Sequence, residues 1–171
     1  VAFFVVIVAS AFILWKRRPE SDLMAAAAAE VGVLFSVLVL ITGSIWGRVS
    51  WNTWWTWDPR LTTALVMCFA YCAYLVLRQA RIPSPRREVM SAVLGILAFA
   101  DVPLVFASAR LWRSIHPAVF ASQGGGMPEE MLWTLGLCLL AWGGLLVLLI
   151  KYRYSQLLIQ GRIDSLVAGR Y

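Results

Sequence analysis

Residues 23–45 read LMAAAAAEVGVLFSVLVLITGSI, an apolar run interrupted by a single charged side chain, Glu30. A helix of this length matches the hydrocarbon thickness of a bilayer. Similar apolar runs cover residues 1–15, 61–77, 89–109 and 131–150. Hydrophobic residues make up 61% of the chain, and its mean hydropathy is +0.76, which is typical of membrane proteins. We therefore predict an all-α fold, a polytopic membrane helix bundle with five spans in a single domain, residues 1–171.

Two of these runs depart from an uninterrupted span. The run at 1–15 is short for a full crossing, so we expect it to be the end of a helix that begins before Val1, in an N-terminally truncated chain. In the run at 89–109, Pro103 predicts a kink or a helix restart, with Asp101 placed to cap the new helix. Because carboxylates are costly in lipid, we expect Glu30 and Asp101 to face other helices or a wet cavity.

The basic residues predict the topology. They gather at 16–18, at 78–87 and after residue 150, three segments that share one side if every run crosses once. By the positive-inside rule that side is the cytoplasm. The segments at 46–60 and 110–130 then face the opposite compartment, the periplasm in a bacterium. The net charge of +6 is thus explained by topology, and no basic stripe indicates nucleic-acid binding.

The segment at 46–60, WGRVSWNTWWTWDPR, holds five of the nine tryptophans. An interfacial aromatic belt explains one or two tryptophans at a helix end, but not five. Their spacing fits a helix lying along the membrane surface with one indole face, a broad flat platform. Arg48 and Arg60 could bind the charged edge of a planar ligand stacked on it. Asp58 is expected to cap the next helix, with Pro59 at its first position.

The pattern W-G-x-x-x-W-x-x-W-W-x-W-D-x-R-L-T resembles the signature of the haem exporter protein C (CcmC) family of bacterial cytochrome c maturation, within the broader tryptophan-rich "WWD" class of haem handlers. The resemblance covers the hydropathy frame of all five runs, Asp101-Val102-Pro103 and the segment from Trp112 to His116. It implies the family's six-span frame with the N-terminal span missing, and non-covalent binding of haem b. The haem-binding loop implied by the resemblance comprises Trp46, Gly47, Arg48, Trp51, Trp54, Trp55, Trp57, Asp58 and Arg60.

His116 is the only histidine, and the resemblance implies that it is an axial ligand of haem iron. A neutral imidazole can give one nitrogen to iron while the other donates a hydrogen bond. If its segment is helical, Trp112 and Arg113 lie about one turn back, as an aromatic wall and a propionate-binding cation. Arg113 could equally be an interfacial anchor. The family's other ligating histidine precedes the point where this chain begins, so the second axial ligand is expected there.

The resemblance implies that the protein presents haem at the periplasmic face of the bacterial cytoplasmic (inner) membrane for cytochrome c maturation, without enzymatic chemistry. Its implied partners are an ABC-type maturation complex, a small single-span subunit and a periplasmic haem chaperone. Three alternatives stay open. The chain could be part of a haem-lyase-type assembly protein, a transporter or channel subunit whose tryptophans form only a belt, or a membrane scaffold without a ligand.

Overall fold

The computed structural model describes residues 1–16, 19–80, 84–111 and 128–168, and all the regular structure there is helical. The all-α prediction is confirmed. The helices are α1 (Ala2–Lys16), α2 (Pro19–Trp51), α3 (Pro59–Gln79), α4 (Ser84–Phe99), α5 (Asp101–Leu111) and α6 (Glu129–Ala168).

Four stretches are helical, long and apolar enough to cross a membrane: Glu20–Trp51, Pro59–Gln79, Pro85–Val105 and Glu129–Val167. The third joins α4 to the start of α5, so the described ranges hold five helices when these two are counted together. The fifth, α1, is apolar but shorter than a full span. Four of the five predicted spans are therefore confirmed as membrane-length helices, and the crossing of α1 stays a prediction.

The restart predicted near Pro103 is also confirmed. Because proline has no N–H to give to the carbonyl four residues earlier, and its ring clashes with that carbonyl, the helix cannot continue unchanged past residue 99. α4 ends at Phe99, Ala100 forms a turn, and α5 begins at Asp101.

Two helices are longer than the apolar runs that predict them. α2 continues past residue 45 to Trp51, and so takes in the first part of the tryptophan segment. α6 continues past residue 150 to Ala168, through a stretch rich in Leu, Gln and Arg. These residues favour a helix although not all of them are apolar. The helix therefore continues beyond the end of its apolar run.

The bundle is built on close contact between α1 and α2. The alanine run at 25–29 is almost completely buried, and its small side chains let neighbouring helices approach. α1 also packs against α4, α3 packs against α2, α4 and α5, and α6 packs mainly against α2. At the centre, the ring of Phe3 stacks on Tyr71 with a centroid distance of 3.7 Å, beside the fully buried Tyr74.

Two ion pairs connect α2 to its neighbours. Arg78 of α3 donates two hydrogen bonds of 2.6 Å to the carboxylate of Asp22, and a third of 3.3 Å to the hydroxyl of Tyr74. The second pair is more exposed: Arg153 of α6 donates through Nε and Nη2 to the two carboxylate oxygens of Glu30. The expectation that Glu30 faces another helix is therefore confirmed.

The tight packing of α1 against α2 predicts different outcomes for two glycines of α2. A Cβ at Gly32 would lie 2.6 Å from Cε1 of Phe3, whereas a Cβ at Gly43 meets nothing within 4 Å. Gly32→Ala must displace the Phe3 ring from its stack on Tyr71, and we expect a loss of about 1–3 kcal/mol. Gly43→Ala is the matched control, expected to be neutral or stabilising by up to about 1 kcal/mol. Thermal unfolding in detergent, followed by circular dichroism, measures both, and equal melting temperatures for the two variants would contradict this packing.

Candidate functional site

Five tryptophans lie where the chain passes from α2 to α3, and we call them the tryptophan cluster: Trp46, Trp51, Trp54, Trp55 and Trp57. The first two belong to the last turns of α2, while the other three lie in the non-helical residues 52–58. The prediction of a surface helix through this segment is therefore wrong. The helix ends because Asn52 adopts a left-handed backbone conformation, with φ of 56°.

The end of α2 is closed by Arg48. Its Nη1 donates a 2.8 Å hydrogen bond to the carbonyl of Asn52, the first residue beyond the helix. Gly47 is buried beside this turn, and a Cβ there would lie 3.4 Å from the carbonyl oxygen of Thr53. A small residue at 47 thus lets the chain fold back closely against α2.

The start of α3 is fixed by Asp58, as the sequence predicts. The backbone of Asp58 is extended, and its Oδ1 accepts a 2.9 Å hydrogen bond from the N–H of Arg60. Its carbonyl accepts another from the N–H of Thr62, also at 2.9 Å, and Pro59 takes the first position of the helix. Asp58 is buried in this role. The tryptophan cluster is consequently held between a capped helix end and a capped helix start.

The indoles do not form the flat platform that their spacing suggests. Trp46 and Trp51 meet edge to face, with centroids 4.7 Å apart at 81°, and Trp55 and Trp57 meet at 5.9 Å and 82°. Edge-to-face pairs are a favoured arrangement of aromatic rings, so one indole of each pair supports the other. The exposed fractions are 54% for Trp46, 61% for Trp54 and 76% for Trp57, whereas Trp51 and Trp55 are half-buried.

A small cavity of about 130 Å³ lies beneath the cluster, between Gly43, Gly47, Trp51, Trp55 and Leu61. Pockets that enclose a drug-sized ligand measure about 300–1,000 Å³. A large planar ligand therefore does not fit beneath the indoles, and has to lie across the exposed ones.

The polar groups at this site are of two kinds. Trp55 Nε1, Thr56 Oγ1 and Thr62 Oγ1 are buried and have no hydrogen-bond partner within the described ranges. Arg60, in contrast, is exposed, and no partner of its guanidinium is found there either. An exposed cation beside exposed indoles is suited to a ligand that is apolar on its faces and anionic at its edge.

Trp112, Arg113 and His116 lie outside the residues that the structure describes, as does the greater part of the predicted external segment 110–130. Their place relative to the tryptophan cluster stays a prediction. In the described part of the chain, no group of three or more His, Cys, Asp or Glu side chains could hold a metal ion.

The turn at Asn52 predicts its own substitution series. Asn52 is exposed, so replacing it removes little packing. Asn52→Gly keeps access to positive φ and is expected to leave stability nearly unchanged. Asn52→Val places a β-branched residue in the left-handed region and should cost about 1–2 kcal/mol, with a change in the near-ultraviolet circular dichroism of the indoles. Thermal unfolding of the two variants in one detergent tests this, and a Val variant as stable as the Gly variant would show that the left-handed turn is not required.

Comparison with known proteins shows the family of the chain. The family model described as heme exporter protein C matches residues 1–168. Relatives of that name are 35% identical over 119 residues in Bradyrhizobium diazoefficiens, 31% over 153 residues in Haemophilus influenzae and 39% over 118 residues in Rhodobacter capsulatus. These alignments cover 69%, 86% and 69% of this chain, and 45%, 61% and 45% of the relatives. The chain therefore spans about half the length of the curated relatives it matches. The chain belongs to the heme exporter protein C (CcmC) family of multi-pass membrane proteins.

Proposed function

We propose that this protein binds haem b non-covalently at the external face of the cytoplasmic membrane and presents it to a haem chaperone for cytochrome c maturation. The observation that carries the proposal is the tryptophan cluster itself. It lies at one end of the α2–α3 hairpin, between two helix ends, and its indoles at 46, 54 and 57 are exposed, as is Arg60.

The described residues fit the shape and charge of haem. The porphyrin is planar and apolar, so it can stack on the exposed faces of Trp54 and Trp57. Its propionates need cations, and Arg60 can form charge-assisted hydrogen bonds with them. Half-buried Trp51 and Trp55 make edge-to-face contacts with Trp46 and Trp57, and Gly47 and Asp58 hold the backbone of the segment.

Iron ligation is proposed for His116, by family membership and by its place in the external segment. Haem supplies an iron with axial positions that imidazole nitrogen binds. Arg113 is proposed to pair with a propionate, and Trp112 to form an aromatic wall beside the ligand. We propose that the second axial ligand comes from outside this chain's 171 residues, since His116 is the only histidine among them.

The proposed topology follows from the basic residues. Arg78 lies at the end of α3 opposite Asp58, so the tryptophan cluster faces away from the basic side of the membrane. We therefore propose that, in a bacterium, the cluster and the segment of His116 lie in the periplasm, with α1 as a further crossing. The ABC-type complex, the small single-span subunit and the periplasmic chaperone are proposed partners on the strength of the family alone.

A transporter or channel subunit is the principal rival from another class. It requires Glu30 or Asp101 to line a substrate path. The carboxylate of Glu30 is occupied by Arg153, which favours a structural role for that residue. A haem-lyase-type assembly protein shares the tryptophan pattern, and differs in having a longer chain with further histidines.

The test uses four forms of the full-length protein, purified in detergent: wild type and three variants. We expect wild type to bind b-type haem, seen in its visible spectrum and pyridine haemochrome. His116→Ala should change the spectrum because it removes an iron ligand, and Trp54→Ala/Trp57→Ala should bind haem at least about tenfold more weakly. Trp133→Ala is the matched control, because Trp133 is 71% exposed but lies on α6. It should bind haem as wild type does.

Transfer of haem to the purified chaperone is followed in the same four forms. The proposal predicts loss of transfer in the His116 and cluster variants, and normal transfer in the control. A colourless wild type, or cluster variants that load the chaperone as well as wild type, would contradict it and favour the transporter or scaffold alternative.

A further inference from the structure

We propose that Arg48 is a positioning residue, which holds Trp54 and the turn at Asn52 in place, and that Arg60 rather than Arg48 meets the anionic edge of the ligand. The inference rests on the proposed function and assigns different roles to the two arginines of the site. The sequence alone makes them equivalent, because they stand at either end of the tryptophan cluster.

Arg48 acts first on the end of α2. Arg48 lies in the last turn of α2, where the backbone carbonyls carry a partial negative charge. Its guanidinium lies near this charge and donates to the carbonyl of Asn52, the residue at which the chain leaves the helix. A ligand carboxylate would compete directly with this bond.

Arg48 also acts on the ring of Trp54. Cζ of Arg48 lies 6.0 Å from the centroid of that ring, at the limit of a favourable cation–π contact. Trp54 is only two residues beyond Asn52, so one guanidinium holds both the turn and the indole that follows it. Because Trp54 is 61% exposed, packing against the rest of the protein holds its ring less firmly than it would hold a buried ring.

Arg60 differs from Arg48. Its backbone N–H is bound by Asp58, which fixes where the side chain leaves α3. Its guanidinium is exposed, and it has no partner in the part of the chain that the structure describes. Arg60 can therefore bind a carboxylate without breaking any contact seen there, whereas Arg48 has to give up two.

The experiment compares Arg48→Gln, Arg48→Lys and Arg60→Gln in the full-length protein. Near-ultraviolet circular dichroism of the haem-free protein reports the arrangement of the indoles. Titrations with haem b and with haem dimethyl ester, whose propionates are esterified, then report affinity with and without the anionic edge. A cation that binds propionate loses its effect with the ester, while a residue that positions Trp54 affects both porphyrins.

We expect Arg60→Gln to keep the haem-free spectrum and the affinity for the ester. It should lower the affinity for haem b by about tenfold or more. Arg48→Gln should alter the haem-free spectrum and lower the affinity for both porphyrins by the same factor. Arg48→Lys should keep part of the wild-type haem-free spectrum and part of the affinity for both porphyrins, because the ammonium can still donate to Asn52 and lie near Trp54.

An unchanged haem-free spectrum in Arg48→Gln would overturn the proposal. It would also be overturned if Arg48→Gln weakened haem b but not the ester, since Arg48 would then bind propionate itself. If wild type binds neither porphyrin, the proposed function is wrong, while the haem-free spectra still decide whether Arg48 holds Trp54.

Discussion

Lipid cannot satisfy backbone N–H and C=O groups, so a chain that crosses a bilayer must stay helical until it reaches water or buries its irregular segment against protein. This constraint governs the whole structure. α2 and α3 run without interruption, and the chain leaves helical geometry between them only for residues 52–58. The one break within an apolar run, at Ala100, is forced by Pro103. Irregular backbone, exposed aromatic rings and the exposed cation of Arg60 are consequently brought together at one end of a hairpin.

The two ends of that segment explain how exposed indoles can be held in fixed positions. Asp58 satisfies an N–H that α3 leaves unpaired at its start, and Arg48 satisfies the carbonyl of Asn52, just beyond the end of α2. Both bonds hold the backbone at a boundary between helix and loop. The loop between them is short, so its three tryptophans have little freedom. A ligand that stacks on them meets rings that are already ordered, which reduces the entropy lost on binding.

Much of this arrangement could be predicted from the sequence, because it depends on local signals. The apolar runs predict the membrane helices, Asp58-Pro59 predicts the start of α3, and Pro103 predicts the restart of the fourth apolar helix. The conformation of the tryptophan segment could not be predicted in this way. Its spacing fits a helix, but a single asparagine in the left-handed region ends α2 first.

Contacts between residues far apart in the chain could also not be predicted from a single sequence. Arg153 and Glu30 are separated by 123 positions, and Arg78 and Asp22 by 56, so no local pattern pairs them. The role of Arg48 has the same origin, since its charge alone does not distinguish a ligand contact from a helix cap. His116 differs from these cases, because its assignment depends on the family pattern and not on any described contact.

The most direct test of the central claim is an experimental structure of the full-length protein with haem bound. We expect that the porphyrin lies across Trp54 and Trp57 on the external face, with its propionates at Arg60, its iron on His116, and Arg48 still bonded to the carbonyl of Asn52. A porphyrin inserted between the helices of the bundle, or lying on the external face without contact to the tryptophan cluster, would contradict it.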